Sequence, residues 1–211
     1  MRQVSGLRTC KSWTAALYRE IFSTLFLTLL FPMAVASRPH ITTAFSDYAI
    51  ERYLNVRSAS SVSLSPAGDR IAFLTNITGT QQVWMIDSNG GWPEQLTFYP
   101  DSIDFVSWSP DGSGLLFAKS AGGNENAQLF WLSPDGSSIR PLTNDPQVRY
   151  NFGGWSYDGK QISYSSNKRK REFFDVYVMN VASGREEIAF QQDGSNDPLA
   201  WSLDDKQVTG S

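Results

Sequence analysis

The stretch VSWSPDGSGLLF, residues 106–117, decides the fold. An apolar segment ending in tryptophan runs into Ser-Pro-Asp-Gly and straight into a second apolar segment. Pro110 presets φ at the second position of a tight turn, Asp111 can bond the turn's own backbone, and Gly112 accepts the left-handed conformation that closes it. The alternation of Val106 and Trp108 before the turn, and of Leu115 and Phe117 after it, predicts two paired, half-buried strands.

The hairpin recurs. SLSPAGDRIAF (63–73), GWSYDGKQISY (154–164) and AWSLDDKQVTG (200–210) repeat its order, and the turn serine moves from Ser65 to Ser109, Ser156 and Ser202 in steps of 44, 47 and 46 residues. A second landmark, VWMID (83–87), LFWLS (129–133) and VYVMN (176–180), advances by 46 and 47. A third, EQLT (94–97), RPLT (140–143) and EEIA (186–189), advances by 46 each time. Three landmarks in one register define a unit of four strands, A to D. Strand A ends at the Trp-Ser (Leu-Ser in the first unit) and strand B spans 70–75 in that unit. Strand C is the VWMID type, and strand D, the QLT type, lies at the outer edge. Four short strands per unit of this length are the signature of a β-propeller blade. Trp108, Trp155 and Trp201 share one repeat position and are expected to pack between blades.

The predicted fold is therefore all-β: an incomplete β-propeller of about three and a half four-stranded antiparallel blades, preceded by a signal peptide. The blades are read as 61–104, 105–151, 152–197 and the start of a fourth at 198–211, within a partial propeller domain 61–211. Residues 1–36 read as the signal: Arg2, Arg8, Lys11 and Arg19 precede an apolar run over 21–35, and Ala34-Val35-Ala36 offers a cleavage site. The run is short for a membrane span and contains Pro32, so no stable span is expected after cleavage, an uncleaved anchor being the alternative. Residues 37–60 form a lead-in in which Ser46 can cap a brief helix. Since propellers close with four to eight blades, the expected natural chain continues beyond Ser211, or else several copies assemble into a ring.

Composition narrows function. The 211 residues are 41% hydrophobic and 18% charged, within the globular range. Without residues 1–36, 14 basic and 20 acidic residues remain, a net charge of −6 that disfavours nucleic acid as a partner. The single cysteine, Cys10, lies in the signal, so no disulfide is expected in the mature chain. With one cysteine and one histidine, His40, no Cys/His metal cluster can form, and no metal or cofactor is expected. There is no Gly-x-Ser-x-Gly elbow, and His40 is poorly placed for a catalytic triad, so no catalytic residue is assigned.

Several polar clusters remain. Gly122-Gly123-Asn124-Glu125-Asn126 lies between strands B and C of blade two, where Glu125 is either a solvated loop residue or a substrate-binding carboxylate for a cationic group. Lys168-Arg169-Lys170-Arg171 occupies the same loop of blade three, as a solvated run or a contact for an acidic neighbour. Glu186-Glu187 is placed on the solvated outer edge. Asp193-Gly194-Ser195-Asn196-Asp197 reads as turn chemistry, lacking the spacing of a calcium loop. Asn76-Ile77-Thr78 is a glycosylation sequon, meaningful only in a eukaryotic secretory pathway.

With the register established, GGWPEQLTFYPDSIDFVSWSPDG (90–112), GGNENAQLFWLSPDGSSIRPLT and FGGWSYDGKQISYSSN resemble TolB-like propeller repeats and, more specifically, the N-terminal propeller of the prolyl oligopeptidase family of serine peptidases, in its dipeptidyl-peptidase and acylaminoacyl-peptidase branches. The signal-like residues 1–36 predict an exported protein, periplasmic or extracellular. The resemblance implies a propeller that gates and positions short peptides for a C-terminal α/β-hydrolase domain carrying the nucleophile, Asp and His. In dipeptidyl peptidases a propeller glutamate pair binds the substrate amine; Glu186-Glu187 does not match its location. The alternative is a TolB-like, non-catalytic propeller that binds proteins of the cell envelope.

Overall fold

The computed structural model describes residues 57–211. The signal segment, Cys10, His40 and the expected lead-in helix lie outside the described residues. Every regular element described is a strand. Three sheets follow one another along the chain, each ordered as consecutive antiparallel strands. The first holds β1 (Ala59–Leu64), β2 (Arg70–Thr75), β3 (Gln82–Asp87) and β4 (Glu94–Gln95). The second holds β5 (Ile103–Trp108), β6 (Leu115–Lys119), β7 (Gln128–Leu132) and β8 (Ile139–Pro141). The third holds β9 (Tyr150–Trp155), β10 (Gln161–Lys170), β11 (Phe173–Asn180) and β12 (Glu186–Phe190), and a two-stranded sheet of β13 (Pro198–Trp201) and β14 (Val208–Gly210) opens a fourth. These are three blades and a half. The first strand begins at Ala59, inside the segment read as lead-in, with a bulge between Ser60 and Ser63 where Ser61 takes φ 49°.

The hairpins form because one turn is built repeatedly. In the second blade Gly112 N donates to Ser109 O at 3.0 Å, with φ +72° at the glycine. The Asp111 carboxylate accepts the Ser109 hydroxyl at 2.6 Å and Ser113 N at 2.9 Å. Ser133-Asp135 and Ser156-Asp158 repeat the hydroxyl bond at 2.6 and 2.8 Å. In the first blade the acid has moved past the glycine, and Ser65 donates to Asp69 at 2.7 Å instead.

Packing between blades supplies the core. Leu115 and Phe117 of β6 face the first blade, joining Ala72, Leu74, Val83, Met85, Leu96, Val106 and Trp108. Leu116 and Ala118 face the third, joining Leu129, Tyr150, Ile162, Tyr164, Tyr177 and Met179. A strand buried on both faces reads as a continuous apolar run, which is why LLFA shows no alternation. Polar bonds stitch the inner strands of neighbouring blades: Trp108 N donates to Ser63 Oγ (2.9 Å), Trp155 Nε1 to Ser107 Oγ (3.1 Å) and Trp201 Nε1 to Gly154 O (3.3 Å). The repeated tryptophans thus sit at the blade interfaces, although the buried indole N–H of Trp108 finds no acceptor.

Candidate functional site

Antiparallel order sends the β2–β3, β6–β7 and β10–β11 loops, and the connectors from one blade to the next, to the same end of the blades. In the first two blades a glutamine at the start of the third strand fixes the connector. Gln82, 1% exposed, donates to Tyr99 O (2.9 Å) and Asp101 O (3.1 Å), and its carbonyl accepts Tyr99 N (2.9 Å) and Thr97 Oγ1 (3.0 Å). Gln128 repeats this, donating to Asp145 O and Val148 O at 2.8 Å and accepting Thr143 Oγ1 at 3.0 Å.

The third blade departs from the pattern. Its equivalent residue is Asp175, fully buried, which has no N–H to give. Arg169 supplies the donors: Nε and Nη2 bind the Asp175 carboxylate at 2.6 and 3.0 Å, and Nη1 and Nη2 reach Asp193 (2.8 Å) and Gln192 O (3.3 Å) on the connector. To deliver this arginine, β10 and β11 run to ten and eight residues, against five each for β6 and β7. The basic run 168–171 lies at the hairpin tip, exposed over 169–171, and its charges find partners within the chain. Lys168 lies over the Tyr177 ring (4.0 Å to the centroid) and pairs with Glu186, Lys170 pairs with Glu172 (3.0 Å), and Arg171 Nη2 donates to the amide oxygen of Gln147 (2.7 Å). Its acidic neighbours are in its own chain.

The glutamate pair lies exposed on the edge strand β12, as expected, and its two members take different partners. Glu187 stays at the edge, paired with Arg185 at 2.8 Å. Glu186 is also exposed on the edge strand, and its carboxylate accepts both the Lys168 ammonium and the hydroxyl of fully buried Tyr164. Burial pushes the Glu186 carboxyl up, but the bonds from Lys168 and Tyr164 outweigh it and hold it below the ordinary glutamate value. Burial, and the bond to Glu186, raise the Tyr164 phenol. Burial pushes Tyr150 to about 12, aided by the charges of Asp145 and Glu186.

Glu125 is exposed in the β6–β7 loop, and among the described residues it has no hydrogen-bond or ion-pair partner. Its loop is pinned beside it: Asn126 Nδ2 donates to Pro146 O at 2.9 Å, and Gly122 N to Asp101 Oδ1 at 3.1 Å. The connector that holds Asn126 continues to Gln147 and Arg149. There Arg149 N donates to Asn167 Oδ1 (2.8 Å), and its Nε to Asn151 Oδ1 (2.9 Å). One rim of the second and third blades thus presents a carboxylate on one side of the connector and the guanidinium groups of Arg149 and Arg171 on the other. Asp104 on β5 is raised by partial burial, with the charge of Arg149 pulling it back. The register that identifies the repeats also aligns Gln82, Gln128 and Asp175, a signal of the altered third blade that reading motifs one by one misses.

The other clusters serve the fold. Asp193 takes Arg169; Asn196 Nδ2 ties Phe174 O (2.7 Å) to Gln192 O (2.8 Å); Asp197 accepts Ser165 Oγ (2.6 Å). Asn76 starts the turn closed by Gly79 N, and its side chain accepts Ser58 N at 2.9 Å. Clefts of about 340 and 440 Å³ lie at the opposite end, the first lined by Asp111, Trp131, Arg140 and Lys160, the second by Val178, Trp201 and Lys206. The rim itself is open. It exposes charges of both signs, at Glu125, Arg149 and Arg171.

No protein-family model matches the sequence, and no curated protein matches it. Solved structures do match. TolB from Acinetobacter baumannii aligns with a TM-score of 0.56 at 21% identity, over 72% of this chain and 37% of that one. An oligogalacturonate lyase from Vibrio parahaemolyticus aligns with 0.56 at 16%, over 70% and 44%. Dipeptidyl peptidase 4 from Porphyromonas gingivalis aligns with 0.53 at 16%, over 65% and 20%. The chain thus spans less than half the length of each. The described residues have a β-propeller fold, shared with part of each of these three differently named proteins.

Proposed function

We propose that this chain is the propeller portion of an exported serine peptidase of the prolyl oligopeptidase type, and that its rim admits short peptides and positions them for an α/β-hydrolase domain outside residues 1–211. The observation that carries the reading is Glu125: an exposed carboxylate without a partner among the described residues, in a loop held to the neighbouring connector through Asn126. Such a group meets a peptide ammonium at little cost, because no internal bond must break. The likeness to a dipeptidyl peptidase supports the peptide reading by analogy of fold.

A second reading is a non-catalytic, envelope-protein-binding propeller; the higher identity to TolB favours it. Calorimetry of the purified chain with tripeptides separates the two. Binding of a free-amine tripeptide, weakened by N-acetylation and by Glu125→Gln, supports the first. Absence of any short-peptide binding, with one discrete envelope protein retained in a pull-down, supports the second. The chain alone is expected not to turn over dipeptide chromogenic substrates; turnover blocked by a serine-directed inhibitor would overturn that expectation.

A further inference from the structure

We infer that Arg149 and Arg171 form a receptor for a peptide carboxylate, which rests on the peptide-placing reading above and names a second point of contact. The inference begins from an uneven distribution of charge. Of the four basic residues at 168–171, three meet carboxylates of their own chain: Lys168 meets Glu186, Arg169 meets Asp175 and Asp193, and Lys170 meets Glu172. Arg171 meets only the neutral amide of Gln147, and Arg149 only that of Asn151. Among the described residues neither forms an ion pair.

An amide orients a guanidinium without neutralising it. Each of these two spends one N–H on its amide and keeps the others of its five-donor fork. They belong to one corner, because Asn167 bridges their backbones: its Oδ1 accepts Arg149 N at 2.8 Å and its Nδ2 donates to Arg171 O at 3.5 Å. Arg171 follows β10 at the tip of the β10–β11 hairpin, where the Arg169–Asp175 pair ties the hairpin down, and Arg149 immediately precedes β9, so the two forks are held rather than searching. A planar carboxylate fits such a fork through paired N–H···O bonds. The loop bearing Glu125 is pinned to the same connector at Pro146, one residue from Gln147. Ligands carrying an ammonium and a carboxylate can therefore engage both signs of the rim.

The test compares trialanine with its C-terminal amide by calorimetry on the full chain at low ionic strength. The free acid should bind about tenfold more tightly than the amide. Arg149→Gln and Arg171→Gln should each shrink that preference, and the pair should abolish it, weakening the acid far more than the amide. Glu125→Gln should weaken acid and amide equally. The wild-type comparison needs no variant to fold; urea midpoints check the variants. If neither peptide binds, the peptide-placing reading falls and takes this inference with it. If both bind alike, that reading stands and the carboxylate receptor is wrong. If inorganic phosphate displaces trialanine at equal concentration, the corner is a general anion site and the peptide assignment is overturned.

Discussion

At position 205 an aspartate stands where the second and third blades have Gly112 and Gly159. It keeps their left-handed backbone, at φ 54°, and its carboxylate reaches the preceding blade's turn, accepting Tyr157 N at 2.6 Å and Asp158 N at 2.9 Å. Asp tolerates this conformation better than most residues, and charged acceptors make the stronger hydrogen bonds. The expected order of urea midpoints is wild type, then Asp205→Asn, Asp205→Gly and Asp205→Ala. Glycine loses the bonds, about 1–2 kcal/mol, and alanine adds about 1 kcal/mol of backbone strain. A glycine variant as stable as wild type would remove the clamp from the account. At Gly159 the constraint is steric as well: a Cβ there would stand 2.8 Å from Asp111 N, with φ at +72°. Gly159→Ala should cost about 1–3 kcal/mol, read from the same denaturation curves.

At the scale of the element, each blade must tie its third strand to the connector that leads to the next blade. Gln82 does so with both ends of one amide, and Gln82→Ala should destabilise by about 1–3 kcal/mol, because carbonyls of Tyr99 and Asp101 lose their donor. The third blade uses Asp175 with Arg169. Removing the arginine alone strands a buried carboxylate, so Arg169→Ala should lower the urea midpoint more than loss of the exposed Arg185–Glu187 pair does. Adding Asp175→Gln restores the arrangement of the first two blades and should recover part of the loss; a double variant no better than the single would refute the equivalence. The strands themselves were legible because their determinants are local and recur: the Ser-Pro-Asp-Gly turns and two-faced apolar strands repeat at nearly constant spacing. The tie in the third blade was not, because Arg169 and Asp175 look like ordinary surface charges until the irregular end of the β10–β11 hairpin brings their side chains together. Glu186 escaped for a related reason. A glutamate on an edge strand reads as solvated, and Glu186 is exposed there, but its bonds to Tyr164 and Lys168, both on β10, show only in the fold.

Over the whole molecule, the recurring turns carry a shared electrostatic consequence. The Ser133 and Ser137 hydroxyls and Ser137 N hold Asp135 at about 2. Lys160 N and the Ser156 hydroxyl lower Asp158, and the Ser202 hydroxyl and Lys206 N lower Asp204. Burial works against ionisation at Asp111, yet the Ser109 hydroxyl and Ser113 N bring it below the ordinary aspartate value, and Glu186 is lowered in the same sense. A carboxyl depressed in the folded state binds a proton more readily once unfolded. Each such group therefore stabilises the fold above the unfolded value, near 4, and loses that contribution as pH falls through the folded one. Blades stacked through shared cores should respond together, since Leu115 and Leu116 of one strand belong to the clusters on either side. Urea midpoints should be level from neutral pH to about 5 and then fall steadily between about pH 4 and 2, with proton uptake on unfolding in that interval. Replacing Asp135 and Asp158 by Asn should lower the midpoint at neutral pH and flatten the acid limb. A midpoint that rises on acidification, or an acid limb unchanged in the double variant, would separate the turns from the pH dependence and leave the acid response to other charges.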